Sequence, residues 1–240
     1  MVTAHQPTYL PWLGLFHKIA LSDAFVIFDD VLYDDRDFIN RNRIRGPDGG
    51  MWLTVPVLAA PDLRIADARI RADLPWRRKH HQSILHAYQG APHAGRYLPF
   101  FAELYGRDWQ RLAELDRVCL EFFLSELGIS VEVLELSAMD IRKKKSDLVL
   151  EVCRRTGADL FLFGASGADY ADQEAFRRAG VAVEFQEYRH PEYDQGGPFV
   201  SHLSIVDLLF HCGPASREVL MADNVSRADL VRKHFAGAQP

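Results

Sequence analysis

The chain has 240 residues, 48% of them hydrophobic, and a formal net charge of −5 from 28 Lys and Arg against 33 Asp and Glu. That composition fits an ordinary globular protein with room for one large core, and the negative balance argues against broad capture of nucleic acid or anionic lipid. No run approaches the roughly 18 apolar residues of a membrane span and no basic segment leads into an apolar one, so a cytoplasmic protein is expected. In chain order, Val2 to His5 reads as a short strand broken by Gln6 and Pro7. Pro11 suits a helix's first turn, where its missing N–H costs nothing. Trp12, Leu13, Leu15, Phe16 and Ile19 then fall mostly on one side of a 3.6-residue period, and Ala24 to Phe28 is a continuous apolar run. Strand, helix and strand make a βαβ unit with parallel strands, whose ligand crevice lies beyond the strands' carboxyl ends. His5–Gln6 and Asp29–Asp30 stand at those ends.

Residues 34–50 read as a polar loop in which Asn40, Arg41, Asn42, Arg43 and Arg45 offer donors for carboxylate or phosphate oxygens, or form ion pairs with Asp34, Asp35 and Asp37. Residues 51–57 form a hairpin or edge strand, since Pro56 excludes a central position. Residues 76–127 repeat Leu, Phe and Trp at helical spacings and predict a helical block, whose histidines lack metal-ligand spacing. A strand over 128–137 precedes the basic run Arg142 to Lys145. There Ser146–Asp147 is expected to cap a helix that ends at Gly157, with Lys145 beside its positive end as an anion contact. Residues 158–164 form the next buried strand, where Gly164 and Gly167 permit close approach to a ligand; the pattern is not GxGxxG, so no dinucleotide site is indicated. A helix over about 171–179, a strand over 181–188 and a helix capped by Ser204 follow, and the residues after about Phe235 are expected to fray. Cys119, Cys153 and Cys212 lack CxxC spacing, which points to reduced thiols rather than a zinc site; Cys212, near a helix's negative end, is a disfavoured nucleophile.

HQPTYLPWLGLFHKI, FDDVLY, FINRNRI and WLTVPV together resemble the WbqC-like family, and the similarity continues nearly to the C-terminus. Gly164, Ser166, Gly167 and Tyr170 match a glycine-rich turn ending in tyrosine. His190, Tyr193 and Gln195 match an HPxYxQ segment, and residues 203–210 match LSxxDLLF. Ala165 and Ala168 stand where other members have further glycines. The resemblance implies transfer of an acyl or aminoacyl group, glycine in particular, onto an amine of an amino sugar or small metabolite, in polysaccharide or secondary-metabolite biosynthesis. It also brings Gln6, Tyr9, Asn40, Arg41 and His190 into a substrate-binding set with Lys145, Gly164, Ser166, Gly167 and Tyr170.

The expected fold is therefore α/β: one domain over residues 1–240, with a mostly parallel, Rossmann-like or doubly wound sheet and an inserted helical region at about 76–127. His5 is the expected proton-handling group, oriented by Asp29 or Asp30, one of which is alternatively a magnesium foothold. The partners implied are a small-molecule substrate and an acyl or aminoacyl carrier protein or aminoacyl-tRNA; no cofactor is named by the residues. Two alternatives stand beside this reading. Residues 7–16 resemble the HxGH region of class I synthetase-like nucleotidyltransferases, with Trp12 and Leu15 in the two histidine places, and RKKKS loosely resembles their KMSKS loop, which implies ATP-dependent adenylyl transfer. The other alternative is a non-catalytic ligand-binding or scaffold protein.

Overall fold

The structure, a computed structural model, describes residues 1–235. The apolar runs of the sequence become five parallel strands: β1 (Val2–His5), β2 (Ala24–Ile27), β5 (Glu132–Glu135), β6 (Leu160–Phe163) and β7 (Ala182–Phe185). They lie side by side in the order β5-β2-β1-β6-β7. Counted along the chain this is 3-2-1-4-5, so the order reverses between β1 and β6. Val2 pairs with Ala24 and with Phe161, and His5 with Ile27. Continuing the β1–β6 register sets Gly164 beside His5.

Between β2 and β5 the chain adds β3 (Arg41–Gly46) and β4 (Gly49–Thr54), an antiparallel hairpin forming its own two-stranded sheet. Here the structure corrects the expected loop. Hydropathy misses β3 because its inward residues include Asn42, whose Nδ2 is buried and donates to the Leu10 carbonyl at 2.7 Å. Arg41, Arg43 and Arg45 alternate with it outward.

Helices cover both faces, as parallel sheets require. On one face α1 (Leu13–Ala20) packs with the helical block α2 (Trp76–Tyr88), α3 (Ala94–Gly106) and α4 (Leu112–Glu126), close to the expected span. Leu13, Phe16, Phe25, Ile27, Phe101, Phe123 and Phe210 share this main core. On the other face α5 (Lys145–Thr156) and α6 (Gln173–Arg178) cover Val2, Ala4, Val26, Phe161 and Phe163 through Leu148, Val149, Val152 and Phe176. Each such buried side chain contributes about 1.5–3 kcal/mol. The C-terminal helices α7 (Ile205–Cys212), α8 (Ser216–Met221) and α9 (Arg227–Phe235) return to the first face, where Leu230 meets Leu21, Leu160 and Leu162. The residues after Phe235 lie outside the described part.

Of two expected caps, one is found. Ser204 accepts from the Val206 amide, as its position ahead of α7 predicts. Ser146 does not cap α5: the helix opens one residue earlier, at Lys145, and the Ser146 hydroxyl instead accepts from the Asp172 amide at 2.9 Å. Lys145 itself sits at φ +52°, in the left-handed region. A non-glycine residue there costs on the order of 1–3 kcal/mol. Among the described residues no helix is long and apolar enough to cross a membrane.

Candidate active site

Where the strand order of a doubly wound sheet reverses, neighbouring connections leave toward opposite faces and open a crevice at the carboxyl ends. In this molecule α1 follows β1 on one face while the chain after β6 turns toward α6 on the other. A cleft of about 460 Å³ lies there, floored by Ala4, Phe161 and Phe163 and rimmed by His5, Gln6, Phe28 and Val31. Lys145 and Leu148 from the start of α5, and Gly164, Ser166, Gly167 and Tyr170 from the turn after β6, close its far side. The turn is a short 3-10 segment, Ala165–Asp169. Gly167 is needed by contact: an added Cβ would stand 2.5 Å from the Phe163 Cβ.

One lysine missing from the expected set is central to the cleft. Lys18, on α1, is only 3% exposed and donates from Nζ to the Ala4 carbonyl at 3.0 Å. A Cβ built on Gly164 would lie 3.9 Å from that Nζ, so the amine stands between the ends of β1 and β6. Burial lowers its pKa to about 7. The signal was present in the sequence: LGLFHKIA is apolar nearly all round, and such a helix is buried on every side, so its lysine must be buried too.

His5 lines the same cleft, but its environment differs from that of a near-neutral base. Its ring packs edge-on against Trp12, with centroids 5.1 Å apart, and Nδ1 lies 2.9 Å from the Gln6 carbonyl. Burial, reinforced by the positive charge of Lys18, lowers its pKa to about 4. The imidazole is therefore neutral at physiological pH, an environment poorly matched to the proton-handling role expected of His5.

Seven expected residues converge at this cleft: His5, Gln6, Lys145, Gly164, Ser166, Gly167 and Tyr170. Six lie elsewhere. Asp29 faces a separate small cavity, and its carboxylate accepts from the Ser137 amide at 2.9 Å and hydroxyl at 2.6 Å. Asp30 is turned outward to Arg64 at 2.8 Å. Tyr9 is fully buried, with its hydroxyl bonded to His80 Nδ1 and the Tyr105 hydroxyl. Asn40 is buried, and its Nδ2 donates to the Val55 carbonyl at 2.8 Å. Arg41 lies over the exposed Trp52 ring, 5.2 Å from its centroid. His190 packs against His202 and Phe199. None of these six lines the cleft. Tyr193 and Gln195, from the same HPxYxQ segment as His190, clamp Asp207 of α7 at 2.9 and 2.8 Å. Cys212 is no nucleophile by environment, since burial and the Asp207 charge raise its thiol pKa.

Fold and cleft together define a doubly wound α/β protein with its candidate ligand site at the reversal of strand order. The chain belongs to the WbqC-like protein family, which matches residues 6–219. It is 31% identical over 222 residues to Uncharacterized protein Rv1507c of Mycobacterium tuberculosis, an alignment spanning 90% of this chain and 95% of the relative.

Proposed function

We propose that the cleft at the β1–β6 junction transfers an acyl or aminoacyl group, glycyl in particular, to a primary amine on an amino sugar or small metabolite. The observation that carries this reading is Lys18: a buried amine with a pKa of about 7, held between the Ala4 carbonyl and Gly164. An acceptor amine arrives as an ammonium and must lose a proton before it attacks. A base whose pKa lies near the working pH is suited to take it.

In the proposed sequence neutral Lys18 removes that proton and the freed amine attacks the donor carbonyl. The C–N bond forms, the C–S or C–O bond to the leaving group breaks, and the second proton on the attacking nitrogen passes to solvent. Lys18 returns its proton to a leaving thiolate or alkoxide, a step that an adenylate, which leaves as AMP, does not need. The Ser166 hydroxyl is a donor for the oxyanion. Lys145 and the N-terminus of α5 attract a phosphate carried by the donor, whether on a carrier arm or an adenylate. Neutral His5 lines the cleft and orients the acceptor.

The test supplies glycyl-pantetheine as thioester donor with a panel of amino sugars and follows amide formation by mass spectrometry. Wild-type protein is expected to form the amide, and Lys18→Met to lose about 10²-fold or more in turnover, the usual scale of acid–base catalysis. Undiminished turnover in folded Lys18→Met would reject the assignment. A second reading, adenylyl transfer, draws on the 3-2-1-4-5 strand order and on Lys145 at the cleft. ATP–pyrophosphate exchange in the presence of an amino acid would favour it.

A further inference from the structure

On the opposite side of the Gln6–Thr8 loop from the cleft lies a second, smaller cavity of about 30 Å³. Gln6 lines both, and nothing else is common to them. Asp116 of α4 lines this cavity at 3% exposure, and neither of its carboxylate oxygens has a hydrogen-bond partner. A carboxyl group so placed is costly to ionise without a partner. Its neighbour Arg117 does not serve, being committed to Glu121 at 2.6 Å and Glu135 at 3.1 Å. Asp29, across the cavity, is satisfied by Ser137.

We propose that this cavity binds a primary ammonium group, with Asp116 as its counter-ion. The size fits: a water-sized occupant needs about 10–15 Å³, so the space holds two such positions, the extent of a C–N unit. The lining also carries further oxygen-bearing residues, since Gln6 and Thr8 join Asp116 around the cavity and an ammonium has three N–H groups to place. An anion is excluded by Asp116 itself. A multivalent metal is not favoured, since no three His, Cys, Asp or Glu side chains converge among the described residues. Access runs past Ala113, Arg117 and the exposed Glu135, which line the cavity's outer side.

Binding is linked to a proton. Burial pushes the Asp116 carboxyl well above the usual carboxylate range, so an arriving ammonium displaces a proton and affinity rises with pH until Asp116 is ionised unaided. The other groups facing Asp116 are Asp29, Arg117 and Glu135 around the cavity and Tyr9, Tyr33 and Cys119 behind it. All three in the second set have pKa values raised above their ordinary ones, Tyr33 to about 12, so they stay neutral through the range used.

The test is isothermal calorimetry with methylammonium chloride in two buffers of different ionisation enthalpy. It needs no turnover, so its outcome is separate from that of the cleft chemistry. Saturable binding with proton release is expected, with at least 10-fold weaker binding to Asp116→Asn and none of tetramethylammonium. Asparagine keeps the shape of the neutral acid; should that variant fail to fold, Ala113→Leu at the half-buried rim plugs the cavity and must also abolish binding. Equal binding by the variants, or no saturable heat from wild type, would overturn the proposal and leave the cavity to buried water.

Discussion

His5 and the amine of Lys18 meet at the end of β1, yet their environments divide the chemistry between them. The folded pKa of Lys18, about 7, lies below its ordinary 10.5, so between those values the unfolded chain binds the extra proton. Stability from this group therefore rises with pH across that window, by at most about 1.4 kcal/mol per unit, and the full penalty of the buried charge is present below about pH 7. Denaturant unfolding of Lys18→Met should show the variant gaining most over wild type at and below neutrality, with the gap shrinking toward pH 10.5; a gap independent of pH would mean that Lys18 titrates normally. His5 is depressed further, to about 4. His5→Asn is accordingly expected to leave the pH-rate limb near 7 in place, and loss of that limb would return the proton-handling role to His5. Sequence reading reached His5 because strand ends are where polar groups meet ligands. It passed over Lys18 because a lysine is ordinarily solvated, and only the apolar character of the whole helix shows otherwise.

At the level of elements, the turn after β6 shows what was legible and why. Gly164, Gly167 and Tyr170 were placed at the cleft by strand topology, and they lie there. Gly167→Ala would push a methyl against the Phe163 Cβ, which sits on backbone and cannot swing away. A loss of about 1–3 kcal/mol is expected from such overpacking, read as a lower Tm, and an unchanged Tm would show that the turn yields. The β3–β4 hairpin was less legible. Its arginines suggested an anion site, but Arg41 covers Trp52 and donates to the Arg36 carbonyl at 2.7 Å. Arg41→Ala should therefore leave ligand affinity at the β1–β6 cleft unchanged, as measured by calorimetry with the glycyl-pantetheine donor; marked weakening would restore Arg41 to the binding set.

On one face of the sheet the main core joins β2, the hairpin, α1, the α2–α4 block and α7 in one continuous cluster. That block was legible as helices, since apolar residues recur at three- and four-residue spacings within it, but its attachment was not, because periodicity marks a buried face without naming its partner. Sharing one core, the helical block and the sheet are expected to unfold together. Far-UV circular dichroism and the fluorescence of the buried Trp76 and Trp109 should report coincident denaturant transitions; two separated transitions would mean that α2–α4 is an independent domain. The Asp207 clamp accounts for two residues of the HPxYxQ segment. Tyr193 and Gln195 are polar and prominent in sequence, but their work is to hold the 190–204 loop to α7.

The central claim is that the amine of Lys18 is poised to exchange a proton at neutral pH inside the β1–β6 cleft. The chain has six lysines, so protein labelled with 13C at lysine Cε gives a countable set of resonances to titrate by NMR. One resonance, absent from Lys18→Met, should titrate near pH 7. If the Lys18 resonance instead titrates near 10.5, the amine is an ordinary solvated cation and the account of the cleft is wrong.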